Sequence, residues 1–193
     1  MPDTSPSDLP TIAVTLRDGS IAELRPIHPD DRGLLAEGLS LMSIESRFAR
    51  FGVGVDHLTP SELDYLTKVD QVGHVAWGAA IDNEPAGVGR YIRFSDPICA
   101  DVAVTVVDRF QGRGLGRVLF EALVASARAN QLTELCFVVQ AFNQAVRRIL
   151  DDVDVELTES GGLVQGRIEV SSLPVTERDE RFGELLAEAR ARH

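Results

Sequence analysis

Cysteine is scarce in this chain, with two residues, Cys99 and Cys136, among 193. They have no metal-type spacing and no vicinal partner, and both fall in apolar runs. The sequence therefore predicts two buried free thiols, no disulfide and no metal. Long apolar runs are lacking too, and nothing approaches the roughly 20 residues of a membrane-spanning helix. The polar start Met1-Pro2-Asp3-Thr4-Ser5 does not read as a signal peptide, so the expectation is a soluble cytoplasmic protein with no membrane partner. Positive charge is in deficit: 19 lysines and arginines stand against 30 aspartates and glutamates, a net charge of −11. Such a chain repels phosphate backbones, which excludes nucleic acid and favours a cationic or amine-bearing substrate. The four histidines, His28, His57, His74 and His193, are dispersed without ligand or triad spacing and read as structural or surface residues.

What the chain does have is concentrated between Val102 and Ala129. An alternating run, Val102, Val104 and Val106, leads into Gln111-Gly112-Arg113-Gly114-Leu115-Gly116, and an apolar helical pattern follows at Leu115, Val118, Leu119, Ala122 and Leu123. This is strand, tight turn and helix. Alternate glycines let successive N–H groups point to one side, and the helix adds the positive end of its dipole, so the turn suits a phosphate or pyrophosphate. A nucleoside-triphosphate loop would end in Gly-Lys-Ser/Thr, whereas this one closes with Leu115-Gly116-Arg117. A dinucleotide fingerprint would put its third glycine where Arg117 stands and an acid at the end of the next strand, yet Glu134 precedes that strand. A glycine-rich turn with no ligand is the remaining alternative, but it loses stability without a packing return.

At this length one domain is expected. Residues 1–10 are polar, carry three prolines and should fray; the domain then covers 11–193. Thr11–Leu16 and Ile21–Leu24 alternate around Asp18-Gly19, a hairpin signal. Pro29-Asp30-Asp31 opens a helix, a second segment runs from Ser43 to Phe51, and Thr59-Pro60-Ser61-Glu62 has capping-box spacing for a third helix to about Val69. Strands are read at 75–81 and 87–94 around an Asn83-Glu84-Pro85 turn, then at 98–107 and 135–139. A helix is placed at 142–150 with Ala145, Val146 and Ile149 on its apolar face, a hairpin at 153–157 and 163–170 split by Gly161-Gly162, and a last helix after Thr176.

The turn fits the pattern Gln/Arg-x-x-Gly-x-Gly/Ala and closely resembles the coenzyme A pyrophosphate loop of the GNAT N-acetyltransferase family. The likeness continues elsewhere. Leu24-Arg25-Pro26-Ile27 with Pro29-Asp30-Asp31 resembles the family's first strand and helix. Ser43-Ile44-Glu45-Ser46-Arg47-Phe48 with Arg50-Phe51 is similar to the Ser-Pro-Glu-Ser-Arg-Tyr-x-Arg-Phe segment of bacterial protein lysine acetyltransferases, with Ile44 in place of its proline. Leu58-Thr59, Glu62-Leu63, Leu66-Thr67, Val69-Asp70 and His74-Val75-Ala76 extend it, so the resemblance covers roughly residues 22 to 150. It implies an α/β GNAT fold: a mixed, mostly antiparallel sheet of about seven strands flanked by helices, with parallel strands 100–107 and 134–139 splayed apart. Acetyl-CoA would be the co-substrate. Its pantetheine arm would meet Val104 and Val106, and its pyrophosphate would meet Gln111, Gly112, Arg113, Gly114, Leu115, Gly116 and Arg117. Asn143 matches the asparagine that faces the cofactor, and reads equally as a helix cap. Some of the resembled proteins carry a fused cyclic-nucleotide-binding domain, for which 193 residues leave no room.

A lysine-type amine, with a reference pKa of about 10.4, is protonated at neutral pH and needs a base before it can attack a thioester. The lysine acetyltransferases place a glutamate two residues before the apolar pair leading to the loop, and Asp101 falls there, one methylene shorter. Asp101 acts directly, acts through a water, or is only a solvent-facing residue at a strand start. Where small-amine relatives carry a tyrosine to protonate the thiolate this chain has Leu150, and Asp151-Asp152-Val153-Asp154 replaces the family's Gly-Phe. A thiol of reference pKa about 8.5 leaves tolerably without an acid. Arg147-Arg148 reads as a solvated face or a coenzyme A phosphate contact. The resemblance implies direct acetyl transfer within a ternary complex to a protein lysine; a small-amine acetyltransferase and a non-catalytic acyl-CoA-binding regulator are the alternatives. The sequence sets no oligomeric state.

Overall fold

Two short strands, β1 (Ile12–Thr15) and β2 (Ile21–Pro26), pair antiparallel around Asp18-Gly19, where the Asp18 carboxylate accepts from the backbone N–H and hydroxyl of Ser20. The computed structural model describes residues 9–52, 54–93, 99–150, 153 and 155–192. The expected fraying over residues 1–8, the Asp151, Asp152 and Asp154 segment, His193 and the side chain of Ala145 lie outside that description.

Pro29–Asp31 forms a single 3-10 turn before α1 (Arg32–Ser40). Asp31, buried, accepts both guanidinium nitrogens of Arg25 at 2.7 Å and the His28 N–H at 2.7 Å, which fixes the passage from β2 to α1. Ser43 caps α2 (Ile44–Phe51), and Thr59 with Glu62 forms the capping box of α3 (Pro60–Thr67). Strand β3 (His74–Ile81) turns into β4 (Glu84–Arg93) through Asp82-Asn83, both at positive φ. That turn lies one residue before the Asn83-Glu84-Pro85 reading, because Asp and Asn tolerate the left-handed region and Pro85 is already extended. Next come β5 (Cys99–Val106), α4 (Leu115–Ala129), β6 (Glu134–Gln140) and α5 (Gln144–Leu150). The chain ends with β7 (Glu156–Ser160), β8 (Leu163–Glu169) and α6 (Asp179–Ala191). β7 starts later than the apolar pattern predicts, since Val153 and Val155 pack against the core on the way into it.

Among the described residues the sheet has eight strands, against an expectation of about seven, in the order β1-β2-β3-β4-β5-β6-β8-β7, and only β5 and β6 run parallel. On one face α4 lays Leu115, Leu119, Ala122 and Leu123 over β3, β4 and β5, and α6 adds Phe182, Leu185 and Leu186, all buried. Fully burying side chains of this size stabilises by about 1.5–3 kcal/mol each. A Cβ at Gly87 would come within 2.8 Å of the Thr105 carbonyl oxygen and 3.0 Å of Leu119, so glycine there lets α4 approach. Trp77, fully buried, meets Phe182 edge-on at 5.2 Å and donates its indole N–H to Ser126 Oγ at 2.9 Å. The opposite face carries α1, α2 and α3. Among the described residues no helix is long and apolar enough to cross a membrane.

The two cysteines are not free thiols. Cys99 and Cys136 form a disulfide across β5 and β6, with Cα atoms 6.2 Å apart. Sequence spacing hid this, because 37 residues separate them. The parallel register, Cys99 opposite Glu134 and Asp101 opposite Cys136, brings them together. Glu134 places a carboxylate oxygen within 4.8 Å of both sulfurs. Bonded to each other, those sulfurs are not thiolate donors.

Candidate active site

β5 is paired along its length with β4, from Arg93↔Ala100 to Gly87↔Val106, but with β6 only at Cys99, Ala100 and Asp101. Beyond Asp101 the two parallel strands part, while β6 keeps its other edge against β8 from Glu134 to Gln140. A wedge therefore opens in the middle of the sheet, with backbone of 102–106 along one side. The burial of β5 follows this geometry: Cys99, Ala100 and Val102 are buried, and residues 103–106 are only half-buried. Val104 and Val106 lie on this open stretch, on the face that carries α4.

The glycine turn closes the wide end of the wedge. Gly112 and Gly114 adopt φ of +77° and +96°, a region that disfavours any residue with a Cβ, and Gly114 is the N-cap of α4. Among the described residues, none of the backbone N–H groups from Gly112 to Gly116 donates to another part of the chain. Those of Gly114, Leu115 and Gly116 stand at the N-terminus of α4, where orphan donors and the helix dipole suit an anion. Gly116 has a packing reason as well, since a Cβ there would lie 3.2 Å from Ile149 Cδ1 on α5.

The side chains around the turn hold it in place. Gln111 Nε2 donates to the Val106 carbonyl at 3.0 Å and to Ser46 Oγ at 3.3 Å. Arg113 donates to the Arg109 carbonyl at 2.8 Å, pairs with Asp18 at 3.2 Å, and accepts the Arg17 N–H on its carbonyl at 3.0 Å. Arg117 sits 3.8 Å from Glu121 one turn along α4. Asp108 accepts from the Ser43 N–H at 2.9 Å and from the hydroxyls of Ser43 and Ser46, both at 2.7 Å. Burial opposes ionisation of Asp108, but these hydrogen bonds outweigh it and hold its carboxyl below the usual range. This network ties α2 to the turn, and its Ser46 and Asp108 members were not picked out from sequence.

Asp101 stands at the root of the wedge, opposite Ile92 on β4 and Cys136 on β6. With Ala103 and Thr105 it faces the α1–α3 side, because Arg90 opposite Ala103 and Val88 opposite Thr105 line a cavity there. Burial pushes the Asp101 carboxyl up, and the Arg50 guanidinium partly offsets that. Asn143 is half-buried at the start of α5, where its Oδ1 accepts the Val146 N–H at 3.4 Å. The cap reading is therefore realised, and Nδ2 makes no hydrogen bond among the described residues. Leu150 is buried in the core, and Arg147 and Arg148 are exposed.

The structure adds a cationic cluster that the sequence did not single out. Arg90, 6% exposed, donates to the Leu66 carbonyl at 3.4 Å through both terminal nitrogens and meets His74 Nε2 at 3.0 Å. Burial, then repulsion from Arg90, takes His74 down to about 4, so it is a neutral acceptor at pH 7. Arg50 and His74 both fall in segments of the family likeness, which is the signal that could have flagged them.

Residues 40–151 match the profile of the Acetyltransferase (GNAT) family. The chain is 29% identical over 137 residues to a Pseudomonas aeruginosa protein named as an acetyltransferase, covering 69% of this chain and 74% of that one. It is 32% identical over 168 residues to the acetyltransferase Pat of Mycolicibacterium smegmatis, covering 82% of this chain and 49% of Pat, so it spans about half of that relative's length. Among solved structures, the GNAT domain of S. lividans PAT superposes with a TM-score of 0.77 at 28% identity, covering 82% of this chain and 96% of that one. With the wedge, the turn and the profile in agreement, the chain belongs to the acetyltransferase (GNAT) family.

Proposed function

We propose that this chain transfers an acetyl group from acetyl-CoA to an amine, directly and within a ternary complex, and that the acceptor is a lysine side chain of a protein. The observation that carries the reading is the position of Asp101, at the root of the wedge and on the face opposite α4. The five unpaired N–H groups at the other end suit the pyrophosphate, and the open edge offers the pantetheine arm backbone at Val104 and, apart from the carbonyl held by Gln111, at Val106. The Asp101 carboxylate, directly or through one water, removes a proton from the acceptor ammonium. The freed nitrogen bonds to the thioester carbonyl carbon, the carbon–sulfur bond breaks, the second proton lost by the nitrogen passes through solvent to the thiolate, and Asp101 returns its own proton to solvent. A carboxyl raised by burial is better matched to that transfer than an ordinary aspartate. The likeness of Ser43-Ile44-Glu45-Ser46-Arg47-Phe48 and Arg50-Phe51 to the segment of bacterial protein lysine acetyltransferases supports a protein acceptor.

The test is incubation with labelled acetyl-CoA and a panel of proteins and free amines. Label on protein lysines is the expected result. Label confined to free amines would make the chain a small-amine acetyltransferase. Tight acetyl-CoA binding with no labelled acceptor would favour a regulatory binder.

A further inference from the structure

The cavity between α1–α3 and the sheet is about 90 Å³ and largely apolar, with Leu39, Met42, Leu66 and Val88 in its wall. Two guanidiniums, Arg50 and Arg90, also line it. The bonds of Arg90 are all to neutral acceptors, the Leu66 carbonyl and His74. Arg50 makes no hydrogen bond or ion pair among the described residues; it lies over the Phe51 ring, 5.2 Å from its centroid, and feels the Asp101 charge at longer range. The chain holds 30 acidic residues, yet among those described none comes within 4 Å of either guanidinium. Buried cations are normally paired, because an unpaired one loses hydration with no return. Burial, then mutual repulsion with Arg50, lowers Arg90 to about 10, which registers the missing counter-charge.

The carboxylate whose charge acts on Arg50 is Asp101. Arg90 pairs with Ala103, so Asp101 is its diagonal neighbour on the same face, roughly 7–8 Å away along the backbone. The cavity wall thus carries the two guanidiniums, and Asp101 lies just beyond it on the same face of β5, a few bond lengths from Arg90. We infer that this cavity is the acceptor subsite and that it selects amines carrying a carboxylate a few bonds from the reacting nitrogen, with Asp101 facing the ammonium and Arg50 and Arg90 holding the carboxylate. A free ω-amino acid and a lysine flanked by an acidic residue share this chemistry. The inference rests on the acetyltransferase reading and specifies its substrate class.

The experiment compares 4-aminobutyrate with 4-aminobutyramide, and a lysine peptide flanked by glutamate with its glutamine counterpart, in the parent and in Arg50→Gln. In at least one pair the acid should be preferred in kcat/KM by about tenfold or more, as for a hydrogen-bonded charge pair, and the preferred pair identifies the source of the carboxylate. Arg50→Gln should shrink that preference to about threefold or less. A purely structural or base-tuning role would lower acid and amide acceptors alike and leave the ratio intact. Calorimetry with the acetylated products, N-acetyl-4-aminobutyrate and its amide and the acetyl-lysine peptides, gives a second readout that needs no turnover. No preference in either pair, or a preference that survives Arg50→Gln, overturns the subsite. Carboxylate-selective binding without any acetyl transfer would leave the subsite standing and remove the acetyltransferase reading.

Discussion

Asp101 is subject to two opposing influences: burial raises its carboxyl and Arg50 lowers it, with burial the stronger. Asp101→Asn keeps the shape and removes the proposed base, so it should lower kcat by about 10²-fold or more while changing acetyl-CoA affinity less than about twofold. Steady-state rates and calorimetry check this, and an undiminished rate would move the base elsewhere. Since Asp101 must be ionised and the amine deprotonated, the parent's rate should climb toward alkaline pH. His74 titrates in a different window. Its folded value of about 4 lies below the ordinary 6.5, so the unfolded chain binds more protons between those pH values. Stability from this group is complete above about pH 6.5 and is lost as pH falls toward 4. His74→Gln should therefore flatten the decline in Tm between pH 6.5 and 4; a curve parallel to the parent's would show that another group titrates. Asp101 is singled out by the family likeness, as the position two residues before the apolar pair leading to the glycine turn, and the register puts it where β5 and β6 part. The Arg50, Arg90 and His74 cluster could not be read so, because α2, β4 and β3 supply it and only the strand register and helix packing bring Arg50 and Arg90 to one cavity and His74 against Arg90.

Elements whose signals are local were readable. Thr59-Pro60-Ser61-Glu62 forms its capping box, Ser43 caps α2, and Asp18-Gly19 makes its hairpin, because each depends on residues within four positions. Errors of boundary arose where packing overrode pattern, as with Val153 and Val155, which serve the core rather than β7. The turn before α4 was readable for the same local reason. Gly112 and Gly114 occupy the left-handed region, and Gly114 sits at the N-cap where a β-branched side chain is strained and meets Arg17 at 3.4 Å. Gly114→Val should weaken coenzyme A binding by about tenfold or more, equivalent to about 1.4 kcal/mol. Circular dichroism should show the fold retained, because no core side chain changes. Unchanged affinity in a folded variant would detach the turn from the cofactor.

The wedge is a property of the whole sheet, created where β6 stays with β8 while β5 stays with β4. No single stretch encodes that parting; the family likeness implied it, and the register locates it after Asp101. Among the described residues three pairs join β5 to β6, and the Cys99–Cys136 disulfide bridges that short contact. Sequence spacing alone did not reveal the bond, since two strands 37 residues apart meet only in the folded sheet. In the chain-entropy account, closing a loop of this length stabilises by roughly 3–4 kcal/mol, less any strain in the native state. Reduction should therefore lower Tm by several degrees or more. Cys99→Ser should melt with the reduced parent and ignore added reductant. Because Asp101 lies opposite Cys136, reduction should lower kcat more than it weakens acetyl-CoA binding, which depends on the turn at the far end of the wedge. Thiol titration in denaturant gives the independent check: the oxidised chain should show no free thiol until reductant is added. Two titratable thiols in air-equilibrated protein, with a Tm indifferent to reductant, would mean that the three backbone pairings hold the root of the wedge by themselves.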